Sequence, residues 1–193
     1  MKTMLVPGIT SSIEDLRQIL DLQQKNLKQN LSAGEMMEQG FVTLEHTLTI
    51  LEEMHRIAPS IVVKDEGKVI GYALTETKEC RKLMPDLEPM FALFDSLTWK
   101  NRPITSYSYY VMGQICIAKE CRGKGVFGLL YEQHRRVYQP VFDLFLTEIS
   151  TSNLRSLRAH EKTGFKIIHT HRDEVDEWNV VGWDWGQFDN LAM

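Results

Sequence analysis

The spacing of apolar side chains separates a helical first quarter from an alternating remainder. After a short apolar start at Met4, Leu5 and Val6, residues Thr10, Ser11 and Ser12 are of the type that caps a helix, and Ile13, Leu16, Ile19, Leu20 and Leu22 follow at helical spacing. Residues 43–57 repeat the pattern through Leu44, Leu48, Leu51 and Met54. From Ser60 the character changes: Ile61, Val62 and Val63, the turn Asp65-Glu66-Gly67-Lys68, then Val69, Ile70, Tyr72 and Leu74 predict a β-hairpin. Residues 78–105 read as a helical segment that Pro85 and Pro89 should break or kink. A strand is predicted over 107–118, a helix over 125–139, a strand over 141–149, a helix over 153–163, and strands over 165–171 and 178–185. An α/β fold with a central mixed, mostly antiparallel sheet flanked by helices is the economical packing of that order.

A chain of 193 residues with 43% hydrophobic and 25% charged residues is expected to form one domain, 1–193, with parts at 1–59, 60–106 and 107–185. The net charge of -4 disfavours a nucleic-acid partner, because such binding draws on clustered Lys and Arg. Cys80, Cys116 and Cys121 have neither CxxC spacing nor the density of a disulfide scaffold, so they read as free thiols. No apolar run suits a signal peptide or a membrane span, and the expected location is the cytoplasm.

The richest local signal is Ile115-Cys116-Ile117 followed by Arg122, Gly123, Lys124, Gly125, Val126, Phe127 and Gly128 at a helix start. Strand, glycine-bearing loop and helix bring unpaired first-turn amides to a positive helix end, and the combination suits an anion. Alone, such a tetrapeptide as Arg-Gly-Lys-Gly is more often a solvated turn. Its context is a second helix, capped at Thr151-Ser152-Asn153 and closing at Gly164-Phe165, with Asn153, Ser156, Leu157 and His160 on one face.

At these residues the chain resembles the GNAT superfamily of N-acetyltransferases, whose signature is a strand, an Arg/Gln-x-x-Gly-x-Gly/Ala loop and a later Asn helix ending in a Gly-Phe strand start. The resemblance covers 107–185 and implies an acyl-CoA N-acyltransferase fold with acetyl-CoA as co-substrate. It implies that Gly123 to Gly128 hold the pyrophosphate with Arg122 opening the motif, that Ile115, Cys116 and Ile117 give backbone groups to the pantetheine arm, and that Asn153 and Ser156 border the cofactor. It gives residues 1–59 to the acceptor side. Two positions depart from the pattern: Phe127 stands where Gly or Ala is preferred, and His160 stands where many members have a Tyr acid.

Acyl transfer requires a neutral amine, a polarised carbonyl and a proton for the sulfur. The resemblance assigns the carbonyl to the Ile117 N–H. His160, with a reference pKa of ~6.5 against ~8.5 for a thiol, is the candidate acid. Glu120 and Glu148 are candidate bases. Cys116 sits in an apolar strand with no adjacent base, which suits a packed thiol better than a nucleophile. The histidines show no zinc spacing, and no metal is expected. The resemblance implies an amine acceptor, a small molecule or a peptide. The apolar residues of 78–105 are expected over the acceptor mouth, in a homodimer interface, or against the sheet edge. The rival to an enzyme is a noncatalytic acyl-CoA-binding module.

Overall fold

The computed structural model describes residues 5–32, 34 and 41–186; Met4, part of the expected apolar start, lies outside them. In chain order the elements are β1 (Val6–Ile9), α1 (Ile13–Gln24), α2 (Leu48–Ile57), β2 (Ile61–Asp65), β3 (Lys68–Glu76), α3 (Glu88–Ser96), β4 (Thr98–Trp99), β5 (Arg102–Pro103), β6 (Tyr109–Ile117), α4 (Val126–Tyr138), β7 (Leu144–Ser150), α5 (Leu154–Thr163), β8 (Lys166–Arg172) and β9 (Glu177–Asp184). Seven of these strands hydrogen-bond in the order β1-β2-β3-β6-β7-β9-β8, mixed and mostly antiparallel, and β4 pairs with β5 separately. The fold class is α/β, as the periodicity indicates. Two compact units make up the chain, the first from residues 1–76 and 112–137, the second from 77–111 and 138–193.

In the first unit, Ser12 caps α1 by accepting from the Asp15 N–H at 3.2 Å, which satisfies one of the donors a helix start leaves unpaired. The face this exposes to the interior carries Leu16, Ile19 and Leu22, all buried, and Leu51 and Met54 of α2 are buried with them. The β2–β3 hairpin turns through Glu66 and Gly67, with φ of 48° and 82°. Two successive positive φ values define the turn whose twist matches paired strands, so register Asp65↔Lys68 is set locally. β1, which the sequence shows only as a short apolar run, pairs antiparallel with β2 from Val6↔Lys64 to Ile9↔Ile61.

In the second unit, β6 begins beside β7 in parallel through Tyr109↔Leu144, Tyr110↔Phe145 and Val111↔Leu146, and β9 lies antiparallel to both β7 and β8. Phe91 and Phe94 of α3 are 0% exposed and pack with Ile104, Tyr109, Leu144 and Val180. The apolar face of segment 78–105 is thus spent on this unit's own core, through α3. Pro89 does not break α3. It occupies the first turn, where the missing N–H would have had no partner.

Candidate functional site

The loop after β6 belongs wholly to the first unit. Gly123 and Gly125 have φ of 74° and 83°, and a Cβ built on either of them, or on Gly128, meets nothing within 4 Å. The left-handed conformation turns successive N–H groups to one side, and glycine adopts it without strain. At the start of α4 the Leu129 N–H donates to Gly125 O at 3.1 Å, so the amides of Val126 and Gly128 precede the helical ladder. Open backbone, unladdered amides and the positive end of a 13-residue helix coincide at this turn.

The side chains around the loop hold its shape. Arg122 donates from Nε to Ile117 O at 3.0 Å and from Nη2 to Asn26 Oδ1 at 2.6 Å, tying the loop to the strand before it and to the end of α1. These two donors of the guanidinium are therefore directed at the chain itself. Val126 is buried, its Cγ1 filling space that only a glycine at position 71 leaves, since a Cβ there would lie 2.8 Å away. The Phe127 ring lies 4.8 Å from the Tyr131 ring, so its bulk leans along α4. Lys124 is exposed.

Cys116 in β6 is buried, and burial first and foremost pushes its thiol up to about 12. A thiol so rarely ionised fits the packed reading. Ile115 and Ile117 are half-buried on the same strand. Glu120 is exposed and lines a cleft of about 520 Å³ with Gln18, Asp21, Lys25, Lys68 and Ile70.

The remaining candidates belong to the second unit. Asn153 caps α5, its Oδ1 accepting from the Ser156 N–H at 3.2 Å. Ser156 in turn meets His160, whose Nδ1 is 2.8 Å from Ser156 O and 3.3 Å from Ser156 Oγ. The helical spacing thus joins the three residues in one hydrogen-bonded line. His160 is 1% exposed, with its ring edge-on to Phe165 at 5.1 Å. Burial pulls its pKa down to about 4, against a smaller opposing effect from Ser156. A carbonyl only accepts, so the neutral ring carries its proton on Nδ1 and presents Nε2 as an acceptor. The imidazolium that proton donation would need is present in roughly one molecule in a thousand at pH 7.

Glu148 of β7 is within 2.8 Å of His171 Nε2, and burial, partly offset by that histidine, raises its carboxyl above the ordinary range. Glu148 is a candidate by its place near the end of a strand, but its partner, which reaches it from β8, carries no sequence signal. A second pair, His46 with Glu76, did not stand out in the sequence at all, because the two residues lie in different elements and match no motif. No group of three or more metal-ligating side chains occurs among the described residues, and no helix among them is long and apolar enough to cross a membrane.

No family model matches the chain, and no curated protein matches it. Solved structures do. The ribosomal-protein-S18-alanine N-acetyltransferase from Escherichia coli superimposes with a TM-score of 0.62 at 10% identity, covering 94% of each chain. A GNAT-family acetyltransferase from Streptococcus agalactiae gives 0.62 at 12% identity, covering 93% of this chain and 95% of the other. The NatC complex bound to Gag peptide and CoA gives 0.61 at 12% identity, with 93% and 98% covered.

Proposed function

We propose that this chain, which has the fold of the GNAT N-acetyltransferases, moves an acetyl group from acetyl-CoA to a primary amine by direct attack in a ternary complex. The observation that carries the reading is the turn at Gly123 to Gly128, with two left-handed glycines, open space above them and the unladdered amides of α4. That arrangement suits a pyrophosphate better than a side chain, because the donors are backbone and cannot swing away. In this reading Ile115, Cys116 and Ile117 offer backbone groups to the pantetheine arm, the Ile117 N–H polarises the thioester carbonyl, and Asn153 and Ser156 flank the cofactor. A fixed donor aimed at the developing oxyanion lowers the barrier without reorganising during the reaction.

His160 enters as the proton source for the sulfur only through its scarce imidazolium. If it has that role, His160→Phe lowers turnover most at low pH, where the charged ring is commonest, and leaves acetyl-CoA affinity nearly unchanged. Equal turnover of the two proteins from pH 5 to 8 would remove it from the mechanism.

The neutral, buried state of His160 also favours a second reading, a noncatalytic acyl-CoA-binding module. One assay decides between them: release of free thiol from acetyl-CoA across a panel of primary amines. Peptide N-termini come first in the panel, since two similar folds are an alanine N-acetyltransferase and a complex bound to a peptide. Acceptor-dependent thiol supports transfer; binding of acetyl-CoA with no thiol from any amine supports the module.

A further inference from the structure

Glu76 ends β3 and His46 precedes α2, and both side chains are 0% exposed. The His46 Nδ1 lies 2.9 Å from Gln23 Oε1, and the His46 backbone N–H donates to the same oxygen at 3.1 Å. Because an amide oxygen only accepts, Nδ1 carries the ring proton and Nε2 of the neutral ring is a lone pair. That lone pair faces Glu76 Oε1 at 3.6 Å, and neither it nor either Glu76 oxygen has a hydrogen-bond partner. Buried polar groups in folded proteins are nearly always paired, and an unpaired carboxylate is among the costlier exceptions. Two facing acceptors repel. One added proton between them would turn that repulsion into a hydrogen bond.

Gly113 explains where the carboxylate sits. A Cβ at that position would fall 1.8 Å from Oε1 and 2.5 Å from Oε2, so any residue with a side chain would displace Glu76. Gly113 is itself exposed. It lies two residues before Ile115, roughly 6–7 Å along an extended strand, beside the stretch assigned above to the acyl arm.

We propose that Glu76, positioned by His46, is the group that takes the proton from the acceptor amine, a role that rests on the acyltransferase reading. A primary ammonium reaching β6 at Gly113 loses one proton to Glu76, with the N–H bond breaking as an O–H bond forms that closes the gap to Nε2. The neutral amine attacks the thioester carbonyl, its C–N bond forms and the C–S bond breaks. The nitrogen then sheds its second proton to water, the departing thiolate takes one from the proton source named above or from water, and Glu76 returns its own to water as the product leaves.

The test follows thiol release with acetyl-CoA against three probes, an alanine-initiated hexapeptide, n-butylamine and spermidine, from pH 6 to 10. Glu76→Gln keeps the volume and can donate to Nε2, so it folds. It should lose about 100-fold in kcat/KM at pH 7, the lower range for a general base, and recover toward pH 10, where amines lose the proton unaided. Gly113→Ala, which expels the carboxylate without deleting it, should show the same pH profile, and His46→Gln a smaller loss of the same shape. The rise in melting temperature with acetyl-CoA should be unchanged in Glu76→Gln. A purely structural pair would leave the pH profile alone: Glu76→Gln within twofold of the native protein at every pH overturns this role and leaves the acyltransferase reading standing. A native protein that acetyl-CoA stabilises but that releases no thiol with any probe overturns both.

Discussion

Unfolded, His160 titrates near ~6.5; folded, burial brings it down to about 4. Between those values the unfolded chain binds a proton that the native protein does not, so stability falls as pH drops through that window and is fully present above it. From pH 7.5 to 5 the loss attributable to this one ring is about 2 kcal/mol. Urea unfolding of His160→Phe should show a pH dependence flatter by that amount. His134, buried on α4 and lowered to about 3 mainly by burial, acts in the same direction, so some slope persists in the variant. An unaltered slope would mean that His160 does not change its proton affinity on folding. Arg122 poses a different question at the same scale. Its two directed bonds require a planar fork, so Arg122→Lys should weaken acetyl-CoA binding nearly as much as Arg122→Gln, measured by calorimetry. The motif around Arg122 was legible as a string, whereas its partner Asn26, 96 residues away, was not. His160 was likewise legible as a position on a helix face, but the burial that fixes its charge comes from packing that spacing does not encode.

Elements with strong periodicity could be read in type and order. The helix face of α1, the hairpin turn at Glu66-Gly67 and the cap of α5 each follow from residue types whose physical preference is local. The segment 78–105 was harder. An apolar helical stripe demands burial but does not name what buries it, and Phe91 and Phe94 turn out to belong to the second unit's core. The expected effect of changing them is therefore on stability. Phe94→Ala should cost about 3–5 kcal/mol, the range for emptying a packed aromatic site, with Phe91→Ala close behind. Equilibrium unfolding by guanidinium measures this directly, and a loss below about 1 kcal/mol for both would show that the helix is not integral to that core. Arg81 adds to the anchoring of α3 by bonding Glu88 and, at 2.6 Å, Asp95, whose other oxygen accepts from the Tyr109 hydroxyl at 2.7 Å. None of these partners was visible in the spacing, because Arg81 precedes the helix and Tyr109 lies on β6.

For the molecule as a whole, folds persist at identities of 10–12% because sheet and helix formation depend on where apolar residues recur, not on which ones they are. The class and the sequence of elements were accordingly legible, while the insertion of β9 between β7 and β8 was not, since strand order depends on long-range pairing. The same reasoning separates fold from activity: the fold brings a strand, a loop and a helix end together, and the chemistry must be shown at those residues. A ligand that binds only the native state stabilises it by about 2.7 kcal/mol at one hundred times its dissociation constant. For a chain of this length that corresponds to a melting temperature higher by roughly 5–10 °C with saturating acetyl-CoA. Gly125→Val is an imperfect probe, because a β-branched residue at a φ of 83° is strained and lowers stability by itself. Gly128→Val is the sharper one: its φ is not left-handed, its added side chain meets nothing within 4 Å, and a helical glycine is replaced by a residue of better helix propensity. Gly128→Val should therefore melt at or above the temperature of the native protein without ligand, yet gain little or nothing from acetyl-CoA, because in the proposed reading the new methyl groups stand where phosphate oxygens would approach. A full ligand shift in Gly128→Val would place the pyrophosphate elsewhere than at this turn.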